Sequence, residues 1–232
     1  MIPLRDHQPG LGTPVVVFAI ILVNVLVFLY QVSLPGPRLE AFIEGYGMVP
    51  YEITRGTDLP PAGPKPVYIT LVTSMFMHGG WLHLGGNMLY LWVFGNNIED
   101  VFSHIGFLIF YLVVGLAGSI GQIIVGPASR VPAIGASGAI AGVLGAYIVF
   151  FPRARIDTLL YNRVVPLSAL YVLGFWILLQ FFQGIVALSP EAAAAGGVAW
   201  WAHIGGFVGG AAIAVFFRGR AAELHRNPET RY

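Results

Sequence analysis

One hydroxyl, two histidines and one amide stand where an apolar chain would not be expected to place them. Ser137 opens the run "GASGAIAG", His83 and Asn87 lie in "HLGGN", and His203 lies in "AHIGGFVGG". Polar groups inside hydrocarbon are costly, so each is a functional candidate. His83 and Asn87 are four residues apart and share one helix face. A histidine within hydrogen-bond reach of a serine hydroxyl can take its proton and make it a nucleophile. Ser137 begins its run, where unpaired helix N–H groups and the positive end of the helix dipole favour a developing anion. A side-chain N–H from Asn87 or His83 would complete an oxyanion hole. The set supplies a nucleophile, a base and anion donors without any carboxylate. It reads as a Ser-His dyad, with an orienting third member left to packing.

Taken singly, each residue has a plainer explanation. Ser137 in a glycine-rich helix start can be a packing residue, and Asn87 can be an interhelical hydrogen-bond partner. His78 and His104 read as interfacial histidines satisfied by backbone carbonyls. Asn24, Ser119, Gln122, Gln180 and Gln183 are further polar residues within the runs. The combination carries the chemical reading, because the glycines supply a way to bring it together. Gly206 and Gly210 follow His203 at three and seven residues, and the fourth run offers Gly138, Gly142 and Gly145. Small residues at this spacing let two helix backbones approach closely. Gly135, Gly138, Gly142, Gly206 and Gly210 are therefore expected to be helix-packing residues at the site, drawing Ser137 and His203 together.

Several chemistries are disfavoured. No Asp or Glu falls deep in an apolar run, and Glu99 and Asp100, the nearest, read as loop residues. A membrane protease built on two carboxylates and a carboxylate proton relay both lack their groups. HExxH is missing and there is no cysteine, so neither a metal nor a cofactor is expected. With a net charge of +1 and no long basic block, nucleic acid is not an expected partner.

The elements that must position these residues are membrane spans. Of the 232 residues, 56% are hydrophobic and only 10% charged, against about 25% charged in a soluble domain. The apolar runs read as six spans: 14–32, a short helix from about Trp81 to Gly95, 105–125, 137–151, 167–188 and about 198–217. The chain is thus read as a cytoplasmic N-terminal segment, 1–13, a six-span domain, 14–217, and a cytoplasmic tail, 218–232. Residues 33–66 are too long for a casual connector and read as a structured interfacial loop. "FPRARIDTLLYNRVVP" reads as a loop, and "LSPEAAAAGG" as a candidate lid, with the fifth span a candidate gate. With both termini cytoplasmic, Arg5, Arg153, Arg155, Arg163, Arg218, Arg220, Arg226 and Arg231 lie inside. Only Arg38, Arg55, Lys65 and Arg130 then lie outside, which follows the positive-inside rule. No internal repeat or charged path supports a transporter.

"GASG" opening a span, "AHIGGFVGG" on the last span and "HGGWLHLGGNMLYLWVFGNNIED" on the second resemble a rhomboid intramembrane serine protease. The resemblance covers roughly residues 68–217, with the motifs in the family's order. It implies an all-α membrane protein, a six-transmembrane-helix rhomboid-like bundle. It also implies that Ser137 is the nucleophile and His203 the general base, with His83, Asn87 and the Ser137 N–H supporting the oxyanion. Substrates would be transmembrane proteins, cut within the lipid bilayer near its outer face, in a multi-pass protein of a prokaryotic cell (inner) membrane. The alternative is an inactive rhomboid-like protein that binds membrane helices without cleavage. Two positions depart from the family pattern. Residues 33–66 hold no Trp for the Trp-Arg pair common in relatives, and Ala141 stands where many carry an aromatic ring that stacks on the catalytic histidine.

Overall fold

The computed structural model describes residues 1–189 and 197–226, so most of the expected lid, 190–196, and the end of the tail lie outside the described residues. The described elements run β1 (Ile2–Asp6), α1 (Val15–Ser33), α2 (Gly36–Tyr46), α3 (Pro50–Arg55), α4 (Thr70–Thr73), α5 (Trp81–Phe102), α6 (His104–Val125) and α7 (Ser137–Phe150). They continue with β2 (Arg155–Leu160), β3 (Arg163–Ser168), α8 (Ala169–Val186) and α9 (Trp200–Arg226). α1, α6, α8 and α9 are long and apolar enough to cross a membrane, which makes this an integral membrane protein of mainly helical structure. α7 has 14 residues and is about 21 Å long at 1.5 Å per residue, short of a hydrocarbon core of about 30 Å.

The all-α expectation needs correcting at one end of the bundle. "RIDTLLYNRVVPLS" is a β-hairpin, not a loop, with Leu160 paired to Arg163 across Tyr161 and Asn162. β1 adds to it antiparallel, with Ile2 opposite Leu159 and Asp6 opposite Ile156. The N-terminal segment 1–13 therefore contains the third strand of a sheet, Ile2–Asp6. It is tied to α7 by the Tyr147 hydroxyl, which donates to the Asp6 carboxylate at 2.7 Å. Burial raises the Asp6 carboxyl above its ordinary range, and the Tyr147 hydrogen bond pulls partly against that shift. The sheet lies at the end of α7 opposite Ser137.

α5 is also longer than expected. "NNIEDVF" continues the helix to Phe102, so Glu99 and Asp100 are helical and fully buried rather than looped. Their position follows from an uncapped neighbour. α1 starts after Pro14 with no side-chain cap of its own, and Glu99 supplies one from α5. Its carboxylate accepts the Val16 N–H at 3.0 Å and the Val17 N–H at 2.8 Å. Asp100 accepts the Leu11 N–H at 2.6 Å, and the Asn97 side-chain amide donates to the Gln8 and Pro9 carbonyls. A negative charge at a helix N-terminus interacts favourably with the dipole. Glu99→Ala should leave one buried and one part-buried donor unpaired and cost about 3 kcal/mol. The denaturation midpoint in detergent should fall clearly, while an unchanged midpoint would refute the capping role.

The core is formed where α5, α6 and α7 meet, with Phe94, Ile98, Tyr111, Leu144 and Tyr147 fully buried. α9 packs most extensively on α7, backbone against backbone. A Cβ on Gly206 would run into the Gly138 carbonyl oxygen, and one on Gly210 into that of Gly142. Gly145 faces the Phe207 carbonyl in the same way. Around α9 from this seam, Gly205 meets Ala117 and Gly121 of α6, with the Ala117 carbonyl oxygen 2.6 Å from where a Cβ would lie. Glycines thus dock α9 on two neighbours, one more than the sequence pattern indicated.

Candidate active site

The segment leading into α7 is clamped before the helix begins. Met48 and Ala133 exchange backbone hydrogen bonds at 3.0 and 2.8 Å, and the Gly135 N–H donates to the Ser74 carbonyl at 2.9 Å. The first loop thus holds the approach to Ser137 through its backbone, without a tryptophan. Gly135 precedes α7 and is not a helix-packing residue, which corrects its expected role. Its φ of +135° disfavours a side chain, and a Cβ there would lie 2.9 Å from both Cε1 and Nε2 of His83. Gly135 is therefore what allows the His83 ring to lie against the start of α7.

α7 begins at Ser137, as expected, and the α7–α9 seam brings His203 to it. The distance from Ser137 Oγ to His203 Nε2 is 2.7 Å. His203 is buried and Ser137 partly so. The other ring nitrogen, Nδ1, lies 2.6 Å from the Oε1 atom of Gln180 on α8. A carbonyl oxygen can only accept, so this contact requires the proton on Nδ1. Nε2 is then a lone pair facing the Ser137 hydroxyl, the tautomer in which the imidazole can take a proton. The group that meets Nδ1, where the sequence left only packing, is a specific amide. Gln180 was visible as a polar residue in an apolar run, but its partner stands on another helix and no spacing rule connects them.

His83 is oriented the opposite way. The Gly79 N–H donates to its Nδ1 at 3.3 Å, which leaves the proton of the neutral ring on Nε2. That nitrogen faces Gly135 and the start of α7. Asn87, one turn further along α5, is buried, and its side-chain nitrogen has no hydrogen-bond partner. A buried amide donor without a partner is costly. Of the two histidines assigned to backbone carbonyls, one behaves differently. His104 bonds the Glu99 carboxylate at 2.5 Å. His78 is buried with its ring edge-on to His83. The His78 backbone is held instead by Gln31, whose amide oxygen accepts its N–H at 3.0 Å and whose nitrogen donates to its carbonyl.

Ala141 is fully buried and carries no ring. The ring beside His203 comes from α8. Trp176 lies 5.8 Å from it, centroid to centroid, at an interplanar angle of 31°. Trp200, one turn earlier on α9, meets the same imidazole edge-on at 6.0 Å. Beside Ser137 is a cavity of about 30 Å³ lined by Ser74, Ser119 and Ala202 among others, room for about one water. A larger cavity of about 520 Å³ lies at the other end, between Arg5, Asp6, Trp92 and Asn96, away from this chemistry. No group of three or more His, Asp or Glu side chains converges to hold a metal among the described residues.

Comparison with known proteins follows the same lines. The family model of the Rhomboid domain matches residues 65–220. "Rhomboid protein 1, mitochondrial" of Saccharomyces cerevisiae is 32% identical over 155 residues, which is 65% of this chain and 40% of that protein. "Rhomboid protease GluP" of Bacillus subtilis is 41% identical over 78 residues, 34% of this chain and 15% of the relative. "Rhomboid-like protein 11, chloroplastic" of Arabidopsis thaliana is 31% identical over 84 residues, 36% of this chain and 30% of the relative. In each case the match spans well under two thirds of the relative's own length.

Proposed function

Because the chain belongs to the rhomboid family, we propose that it is an intramembrane serine endopeptidase. It hydrolyses peptide bonds in or near the transmembrane segments of membrane proteins. The observation that carries this reading is the 2.7 Å contact between Ser137 Oγ and Nε2 of His203. α1, α5, α6, α7, α8 and α9 are the six spans, with both termini on the cytoplasmic side. The eight arginines assigned inside, against four cations outside, support that orientation. Ser137 then lies toward the outer face. The relatives' names include mitochondrial, chloroplastic and bacterial proteins, so they do not single out the prokaryotic inner membrane expected from the sequence.

Ser137 Oγ attacks the scissile carbonyl carbon as its proton passes to His203 Nε2. The tetrahedral anion is held by the first-turn N–H of Ser137, by His83 Nε2–H and by the Asn87 amide. The C–N bond then breaks, and His203 returns the proton to the leaving amine. Water attacks the acyl-serine with His203 again as base, releasing the new carboxyl end and restoring the hydroxyl. Asn87→Ala should lower kcat by about 10²-fold with little change in KM, the usual effect of removing one oxyanion donor. Steady-state rates on a transmembrane substrate check this, and equal kcat values would remove Asn87 from the mechanism.

The deciding experiment uses a fluorophosphonate probe on the purified protein. Labelling mapped to Ser137, with cleavage of a reconstituted transmembrane substrate, supports the protease. An unlabelled Ser137 and an uncut substrate would favour the alternative, a rhomboid-like protein that binds membrane helices without cleaving them.

A further inference from the structure

Apart from the Ser137 hydroxyl, two groups from outside α9 meet the His203 ring, the amide of Gln180 and the indole of Trp176, and both sit on α8, four residues apart and therefore on one face. That face is unusual for its helix. Phe175, Leu178, Leu179, Phe181 and Phe182 are exposed, as suits a helix against lipid, while Gln180 is buried. An amide in such a helix is expensive unless it has a specific partner, and its recorded partner is His203 Nδ1. Trp176 covers the same imidazole at 31°, and α8 is further tied to α9 where the Trp201 indole donates to the Gly184 carbonyl at 3.2 Å.

We infer that Gln180 and Trp176 are positioning residues that hold His203 in its reactive tautomer and orientation, so that α8 completes the catalytic base. This rests on His203 acting as the base of Ser137. The Gln180 carbonyl oxygen keeps the proton on Nδ1, which leaves Nε2 free to accept from the Ser137 hydroxyl. Trp176 stops the ring from rotating about its χ2 bond, the task left vacant by Ala141. The Ser137–His203 separation is set by backbone contact between α7 and α9, whereas the direction of the imidazole is set by α8. The base is therefore assembled only while α8 is seated on α9.

The test uses the full chain in detergent or proteoliposomes, with Gln180→Leu, Gln180→Glu, Trp176→Ala and Trp176→Phe. Gln180→Leu removes the acceptor and should lower kcat and the rate of fluorophosphonate labelling about 10- to 100-fold, with KM within about 2-fold. Gln180→Glu keeps an acceptor and should retain most of the activity. Trp176→Phe should likewise exceed Trp176→Ala. A purely structural role predicts the reverse order at 180, because leucine suits an apolar helix better than glutamate. Nitrogen NMR of labelled histidine gives a readout independent of turnover. His203 should be protonated on Nδ1 in the wild type and in Gln180→Glu, and should lose that preference in Gln180→Leu. A wild type that never labels would defeat the protease reading, with the NMR still deciding the role of Gln180. Equal labelling rates and an unchanged tautomer in Gln180→Leu would overturn the inference while leaving the protease reading intact.

Discussion

Ser137→Ala is expected to abolish fluorophosphonate labelling and to lower cleavage of a transmembrane substrate by at least about 10⁴-fold. His203→Ala should cost nearly as much, because without Nε2 at 2.7 Å the hydroxyl has no group to take its proton. The double variant should then be scarcely worse than either single one. A nucleophile and its base act as a unit, and removing one disables the other. The residual rate would come from binding and from the oxyanion donors. Measured kcat values for the three variants check this. If the two losses multiplied, Ser137 and His203 would be working independently and the dyad would be the wrong description.

The second large effect concerns residues that touch no substrate. Gly206→Ala and Gly210→Ala each place a methyl group against a main-chain carbonyl on α7, at Gly138 and Gly142 respectively. A clash with a flexible side chain can be relieved by rotation, but here backbone meets backbone, so the helices must separate. Overpacking of this kind costs about 1–3 kcal/mol and often more, and the separation reaches the site directly. Both variants should unfold at lower temperature in detergent and lose most of their fluorophosphonate labelling even where they remain folded. Gly219→Ala is the control on the same helix, since nothing among the described residues lies within 4 Å of its Cβ position. It should be neutral or slightly stabilising, by up to about 1 kcal/mol. Full labelling in Gly210→Ala would mean that the seam does not set the Ser137–His203 distance.

The seam was legible because close helix packing leaves a spacing in the chain. Glycines at 138, 142 and 145 and at 206 and 210 fall on single helix faces, and they pointed to the same pair of helices that meet in the structure. Ser137 at the head of α7 was legible for a related reason, because the apolar run starts there. What stayed hidden has its partner far away in sequence. Glu99 and Asp100 resemble a loop until α1 is seen to lack a cap of its own. Gln180 stands out as an amide among apolar residues, yet only the crossing of α8 and α9 gives it His203. Trp176 is one aromatic among many in a lipid-facing helix. Gly135 was grouped with the packing glycines, whereas its backbone angle and the ring of His83 explain it. The hairpin of β2 and β3 was missed because its turn, Tyr161–Asn162, lacks the glycine that usually marks a two-residue turn.

β1 gives the order of synthesis a physical meaning. Ile2 pairs with Leu159, and Asp6 with Ile156, so the first strand leaves the ribosome long before the strand it joins. At about 5–20 residues per second, it waits roughly 8–30 s, while α1, α5, α6 and α7 are made. Once α5 is made, its Asn97, Glu99 and Asp100 can hold the start of α1 before β2 exists. The sheet, once β2 is made, joins residues 2–6 to the helix that carries Ser137 at its far end. A growing chain therefore cannot fasten this end of α7 until most of the bundle exists.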